Sequence, residues 1–105
     1  MYTELMKNCL RNICQSDAKV DEDQSMYAVN DAFASIELYT SSNKVSFKVK
    51  GDAYITAMVK WLQVRMLAGE NISLLTLKTF TKKFNLPENK VRNAALMMEL
   101  IEQIK

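Results

Sequence analysis

The stretch SIELYTSSNKVSFKVKGD, residues 35–52, decides between an all-helical chain and a mixed one. Within it Val45, Phe47 and Val49 alternate with Lys44, Ser46, Lys48 and Lys50, a period of two that belongs to a strand with one buried face. A lone strand leaves its N–H and C=O groups unpaired, and Ser35 to Thr40, across the Ser41-Ser42-Asn43 turn, is the nearest partner. A β-hairpin is therefore expected. Just upstream, Met26, Val29, Phe33 and Ile36 recur at helical spacing, which predicts a helix from Ser25 to about Ala34.

Downstream, Gly51 ends the strand and Asp52 is suited to cap a helix from Tyr54 to Ala68. Ile55, Met58, Val59, Leu62 and Met66 share one face of that helix, with Trp61 beside them, and Gly69 is its natural stop. This is the expected central core helix. Toward the N-terminus, Thr3 can cap a helix over residues 3–15 with a narrow stripe of Met6, Cys9, Leu10 and Ile13. Ser16 to Gln24 reads as an acidic, solvated connector and as the most mobile segment before the core. The expected fold class is α+β and mostly helical: N-terminal helices, a short β-hairpin, then a three-helix C-terminal unit. The 105 residues form one domain in three parts, 1–24, 25–51 and 52–105. Two glycines and one proline are too few for a turn-rich all-β chain, while 49% apolar and 25% charged residues argue for a packed core rather than a disordered tail.

Several function classes are disfavoured by what the chain lacks. With no histidine there is no Ser-His-Asp or Cys-His set, and two glycines cannot build a phosphate-cradling loop. No enzyme activity, small-molecule substrate or cofactor is expected. Cys9 and Cys14, five residues apart, would lie about 140° around a helix and about 7.5 Å along it, a poor geometry for a disulfide. Two reduced, mostly buried thiols and no metal site are expected. Asp17, Asp21, Glu22 and Asp23 have the composition of a calcium loop but neither its spacing nor its central glycine. The absence of a long apolar run and of a leader pattern leads to the expectation of a cytoplasmic protein with no membrane partner.

Charge is unevenly spread. Residues 1–31 carry Lys7, Arg11 and Lys19 against Glu4, Asp17, Asp21, Glu22, Asp23 and Asp31. Residues 76–105 reverse the balance, with Lys78, Lys82, Lys83, Lys90, Arg92 and Lys105 against Glu88, Glu99 and Glu102. A basic C-terminal end suits a polyanion or contact with the acidic end of another copy.

That basic end reads TLKTFTKKFNLPENKVRNAA over residues 76–95. Phe80 and Phe84 stand four apart, Asn85 tolerates a positive φ, Leu86 follows it, and Val91 and Ala94 arrive five and eight positions later. Over roughly residues 76–98 the pattern resembles the helix-turn-helix superfamily, with no particular family within it. Thr81 stands where a smaller residue is usual, and Asn85 replaces the commoner glycine. Pro87 suits the first turn of the second helix. The resemblance implies a DNA-reading helix starting near Pro87, with Asn89, Lys90, Arg92 and Asn93 offered to base edges and Lys78, Lys82 and Lys83 to phosphates. Lys44, Lys48 and Lys50 on the hairpin are a possible second phosphate strip. More often, lysines on an exposed or edge strand serve to prevent edge-to-edge aggregation.

On a wheel centred on Val91, Ala94, Ala95 and Met98, the apolar residues Leu96, Met97, Leu100 and Ile104 fall on the opposite side. They need a second cover, either the N-terminal helix or the same face of a second copy, which would make a homodimer. The leading expectation is a small dimeric DNA-binding protein that regulates transcription or organises a genome or plasmid. The alternative is a non-enzymatic protein-interaction module, an inhibitor or adaptor docking on a larger protein, for which the seven methionines would supply an adaptable face.

Overall fold

In the computed structural model, which describes residues 2–105, the hairpin is present as β2 (Ser35–Thr40) and β3 (Val45–Lys50), with the Ser41 amide donating to the Lys44 carbonyl at 2.9 Å across the turn. A further strand, β1 (Ser25–Asn30), pairs antiparallel with β2, giving a three-stranded meander in the order β1-β2-β3. The chain is thus α+β as expected, but the helix predicted for residues 25–34 is a strand and a turn. The reason is visible in the side chains that would have formed its stripe: Met26 is 59% and Phe33 65% exposed. What is buried follows a period of two, Tyr27 and Val29, because cross-strand rows Tyr27-Leu38-Phe47 and Val29-Ile36-Val49 cover the inner face of the sheet. The turn into β2 is made by Asp31, whose carboxylate accepts the Phe33 and Ala34 amides at 2.8 Å each.

Four helices complete the chain: α1 (Glu4–Arg11), α2 (Ala53–Leu67), α3 (Leu77–Lys83) and α4 (Val91–Ile104). The first is capped by Thr3 and stops at Asn12, short of the predicted residue 15. Across the inner face of the sheet, α2 packs on β3 and α4 on β1, while α1 lies on α2 and α3 on α4. Buried on nearly every side, α2 is the central helix. Ile55, Met58, Val59 and Leu62 are joined in the core by Tyr54, Ala57 and Trp61. It starts at Asp52, which accepts the Ile55 amide at 3.0 Å, and ends at Gly69, whose φ of 77° lets its own amide reach Met66 and the Glu70 amide reach Arg65.

At the other end of β3, Gly51 sits where a side chain has no room: a Cβ there would lie 2.6 Å from Ile55 Cγ2 and 3.1 Å from Ala34 Cβ. Ile55 is fully buried and cannot swing aside. In Gly51→Ala the overpacking, about 1–3 kcal/mol, is expected to outweigh the gain from a stiffer unfolded chain, about 0.4–1 kcal/mol. The denaturant midpoint should fall.

The segment read as a solvated connector is pinned to the core. A 3-10 turn over Gln15–Ala18 sets Asp17 against α2, where its carboxylate accepts Lys60 Nζ at 2.8 Å and Gln63 Nε2 at 3.0 Å. The Cys14 amide supplies a third donor at 3.1 Å. Gln63 Nε2 also reaches the Val45 carbonyl at 2.8 Å, so the cluster ties the connector to the edge of β3. Farther along, Gln24 bonds to the Tyr39 carbonyl at 3.0 Å, the Ser46 hydroxyl donates to the Lys19 carbonyl, and Lys44 pairs with Asp21 at 3.2 Å. Asp17 is thus buried rather than solvated, because its charge is met by a buried cation and two further donors. The cysteines also divide: both are free, but Cys9 is buried and Cys14 exposed, since α1 ends before Cys14. Burial pushes the Cys9 thiol up despite the nearby Arg65 and Lys60 charges.

Candidate macromolecule-binding surfaces

The residues singled out in the 76–98 stretch come together as two anchored helices and a tight turn. Thr76 caps α3 by accepting the Thr79 amide, and Thr79 returns the bond to the Thr76 amide at 3.2 Å. Phe80 and Phe84 are fully buried and meet Trp61 of α2 edge-on, with ring centroids 5.6 and 6.1 Å away. After Phe84 the backbone turns through Asn85 at φ 47°, the one positive-φ residue besides Gly69 among those described. The Asn85 amide then reaches Lys82 at 3.3 Å and the Leu86 amide reaches Thr81 at 3.1 Å, the same closure that ends α2. Helix α4 does not begin at Pro87. A 3-10 turn over Glu88–Lys90 intervenes, closed by the Lys90 amide on the Pro87 carbonyl at 2.8 Å.

The predicted base-reading residues are mostly engaged within the chain. Asn93 is 2% exposed, not outward, and its Nδ2 donates to both carboxylate oxygens of Asp52 at 3.1 and 3.3 Å. Lys90 points to the same carboxylate, Nζ to Oδ2 at 2.8 Å. Arg92 donates to the Asn89 carbonyl at 2.9 Å and lays its guanidinium on the Phe33 ring, 3.9 Å from the centroid. Asn89 keeps an exposed side chain.

The residues expected to meet phosphates are more exposed. Lys78, Lys82 and Lys83 are exposed along α3 and line a shallow groove with Thr76 and Thr79, Lys83 lying 5.9 Å from the Trp61 ring centroid. On the hairpin, Lys44 is tied to Asp21, and Lys48 stands opposite Glu37 and over the Tyr39 ring at 5.9 Å. Lys50 is exposed. The second strip is therefore interleaved with carboxylates.

The apolar face proposed for a second copy is closed inside the chain. Leu96, Met97 and Leu100 are buried and Ile104 is half-buried, while Ala95 is exposed and Met98 only partly covered. Because β1, α2 and α3 all contact α4, its core face is broad and takes in Ala94 of the expected stripe together with the side expected to meet a second copy. Within the chain, β1, α2 and α3 cover this face. The stripe left outward on α4 is Arg92, Ala95, Glu99, Glu102 and Gln103.

That stripe borders a surface the sequence reading missed. Val29 of β1 with Ala95, Met98, Glu99, Glu102 and Gln103 of α4 line a groove along the free edge of the sheet. It was missed because β1 was read as helix. The alternation of Tyr27 and Val29 with Met26, Ala28 and Asn30 was the available signal.

Asp52 is the node that fixes how α4 leaves the turn, since it caps α2 and binds Lys90 and Asn93 at once. Partial burial would raise its carboxyl, but the Lys90, Ile55 amide and Asn93 hydrogen bonds, with the Lys90 charge, outweigh it and hold the group below the usual range. Asp17 is likewise lowered: burial opposes, and the bonds from Gln63, Lys60 and the Cys14 amide prevail. A depressed folded-state carboxyl contributes stability above its unfolded value, about pH 3.9, and loses it as pH falls through the folded value. The denaturant midpoint is expected to hold from neutral pH to about pH 5 and to fall steeply below about pH 4. In Asp52→Asn that acid limb should be shallower.

Comparison with protein-family models, with curated proteins and with solved structures gives no match for this chain. No helix among the described residues is long and apolar enough to cross a membrane.

Proposed function

We propose that this protein is a non-enzymatic docking module whose partner is another protein. The observation that carries this reading is the orientation of α4. Three of its four candidate base readers are occupied within the chain, and the stripe it turns outward carries Glu99 and Glu102, which repel a phosphate backbone. The exposed, free thiol of Cys14 is in keeping with a reducing cytoplasm. A second reading, contact with a nucleic-acid backbone through α3, is favoured by Lys78, Lys82 and Lys83, exposed along the helix that precedes the Asn85 turn.

A fluorescence-anisotropy titration against mixed-sequence duplex DNA at low and at moderate salt tests both. The docking reading expects at most weak binding that vanishes with salt, is unchanged in Lys90→Ala/Arg92→Ala and is lost in Lys78→Ala/Lys82→Ala/Lys83→Ala. Tight binding at moderate salt that the Lys90/Arg92 pair of substitutions abolishes would overturn it and restore the DNA-reading helix.

A further inference from the structure

The two edges of the sheet are not treated alike. The β3 edge is defended: Lys48 and Lys50 stand on it, Gln63 takes the Val45 carbonyl, and the 3-10 turn at residues 15–18 packs against it. The β1 edge is less guarded: Gln103 takes the Ala28 carbonyl, but no lysine stands on the strand. Ser25–Asn30 contains no proline and no charge, and its register with β2 is unbroken over six residues.

The direction of its backbone groups follows from the turn. The Asp31 amide donates to the Ala34 carbonyl at 2.9 Å, which makes that pair a bonded one. Bonded and unbonded pairs alternate along an antiparallel ladder. Val29↔Ile36 and Tyr27↔Leu38 are therefore bonded, and Met26, Ala28 and Asn30 turn their N–H and C=O groups away from β2. One of these groups is already seen to bind something else: the Ala28 carbonyl accepts Gln103 Nε2 at 2.9 Å. The side chains of Met26, Ala28 and Asn30 are exposed as well.

Resting on the protein-partner reading above, we propose that β1 is a docking edge. An extended segment of the partner adds to it as a fourth strand, carrying lysine or arginine on the side facing α4. Alternate side chains of such a strand would enter the groove beside α4, whose floor is Val29, Ala95 and Met98 and whose rim is Glu99 and Glu102. Glu99 has no cationic partner among the described residues, and Glu102 has only the exposed Lys105, at 3.2 Å. An apolar residue followed by basic ones matches floor and rim. A second copy of this chain fits less well, because Ser25–Asn30 would bring no cation opposite the two glutamates.

The test uses the whole chain, amide NMR, and capped seven-residue peptides. In the first peptide, threonines alternate with valine, lysine and lysine. In the second, glutamates replace the lysines. The expected result is a set of shifts confined to the Met26, Ala28 and Asn30 amides and to α4 with the lysine peptide, and none with the glutamate peptide. Ala28→Pro removes an outward N–H that β2 does not use, so the β2 and β3 amides should keep their positions while peptide binding is lost. Glu99→Lys/Glu102→Lys, both at exposed sites, should weaken the lysine peptide about tenfold or more and admit the glutamate one. Lysine-peptide shifts elsewhere, binding indifferent to both variants, or no binding by either peptide would overturn the docking edge. So would concentration-dependent shifts in β1 without peptide, which would mean self-pairing. None of these touches the protein-partner reading, which falls only if the DNA titration gives salt-resistant binding dependent on Lys90 and Arg92.

Discussion

Lys60→Met is expected to lower stability by about 3–5 kcal/mol, because removing one partner of a buried ion pair strands the other. Lys60 and Asp17 are each about 10% exposed at the side chain and meet at 2.8 Å, with Gln63 bonded to both. Methionine matches the length of lysine and fills the same channel, so the loss reports the charge and not a cavity. Asp17 would keep the Gln63 and Cys14 donors, and these set the loss toward the lower end of that range. The acid limb should change too: without Lys60 the Asp17 carboxyl is less depressed, so its share of the acid loss shrinks and stability falls less steeply with acid than in the parent. Asp17→Asn combined with Lys60→Met should recover part of the loss, the mark of coupling between the two sites. A loss under about 1 kcal/mol, the size found for surface pairs, would mean that the pair is solvated and that residues 16–24 are not anchored. The measurement is urea unfolding of the parent, Asp17→Asn, Lys60→Met and the double variant at neutral pH and at about pH 3.5.

That cluster marks the limit of what the chain's pattern discloses. Local signals were strong where a residue type answers a local need. Thr3, Asp52 and Gly69 lie at helix ends, Val45, Phe47 and Val49 alternate, and Asn85 adopts the positive φ that the turn demands. Signals failed where burial is decided by partners distant in sequence. Asp17 looks like one more carboxylate in an acidic linker, and only its approach to Lys60, 43 residues away, makes it a core residue. Asn93 looks like an outward polar residue until Asp52, 41 residues away, draws it in. The stripe on α4 went astray for the same reason: with β1, α2 and α3 all against it, a single-sided wheel has no correct centre. Residues 25–34 were misread because helical spacing among four apolar residues was weighed above the strand that a hairpin can recruit next to it. The docking edge follows from that strand and was therefore invisible to a reading that lacked it.

Phe84→Ala should cost about 3–5 kcal/mol, the usual loss when a fully buried phenylalanine is truncated. Its ring is 0% exposed and stands at 90° to Trp61, so no neighbour can fill the space without breaking that contact. Phe84 is also the C-cap of α3, directly before the Asn85 turn, and with Phe80 it fixes α3 to α2. Loss of the ring should therefore loosen α3 first, seen as faster amide exchange over Leu77–Lys83 than over β1–β3. Leu74→Ala, at a site 75% exposed, should stay within about 0.5 kcal/mol and serves as the control. The same variant separates the two surfaces. Lys78, Lys82 and Lys83 ride on α3, whereas the groove is built by β1 and the later turns of α4, which α2 and the sheet hold independently. At a temperature where Phe84→Ala is still folded, weak salt-dependent binding of duplex DNA should diminish while lysine-peptide binding at β1 persists. Loss of both together would mean that the α3–α4 turn sets the position of α4 along its whole length, and that the edge and the lysine groove act as one surface.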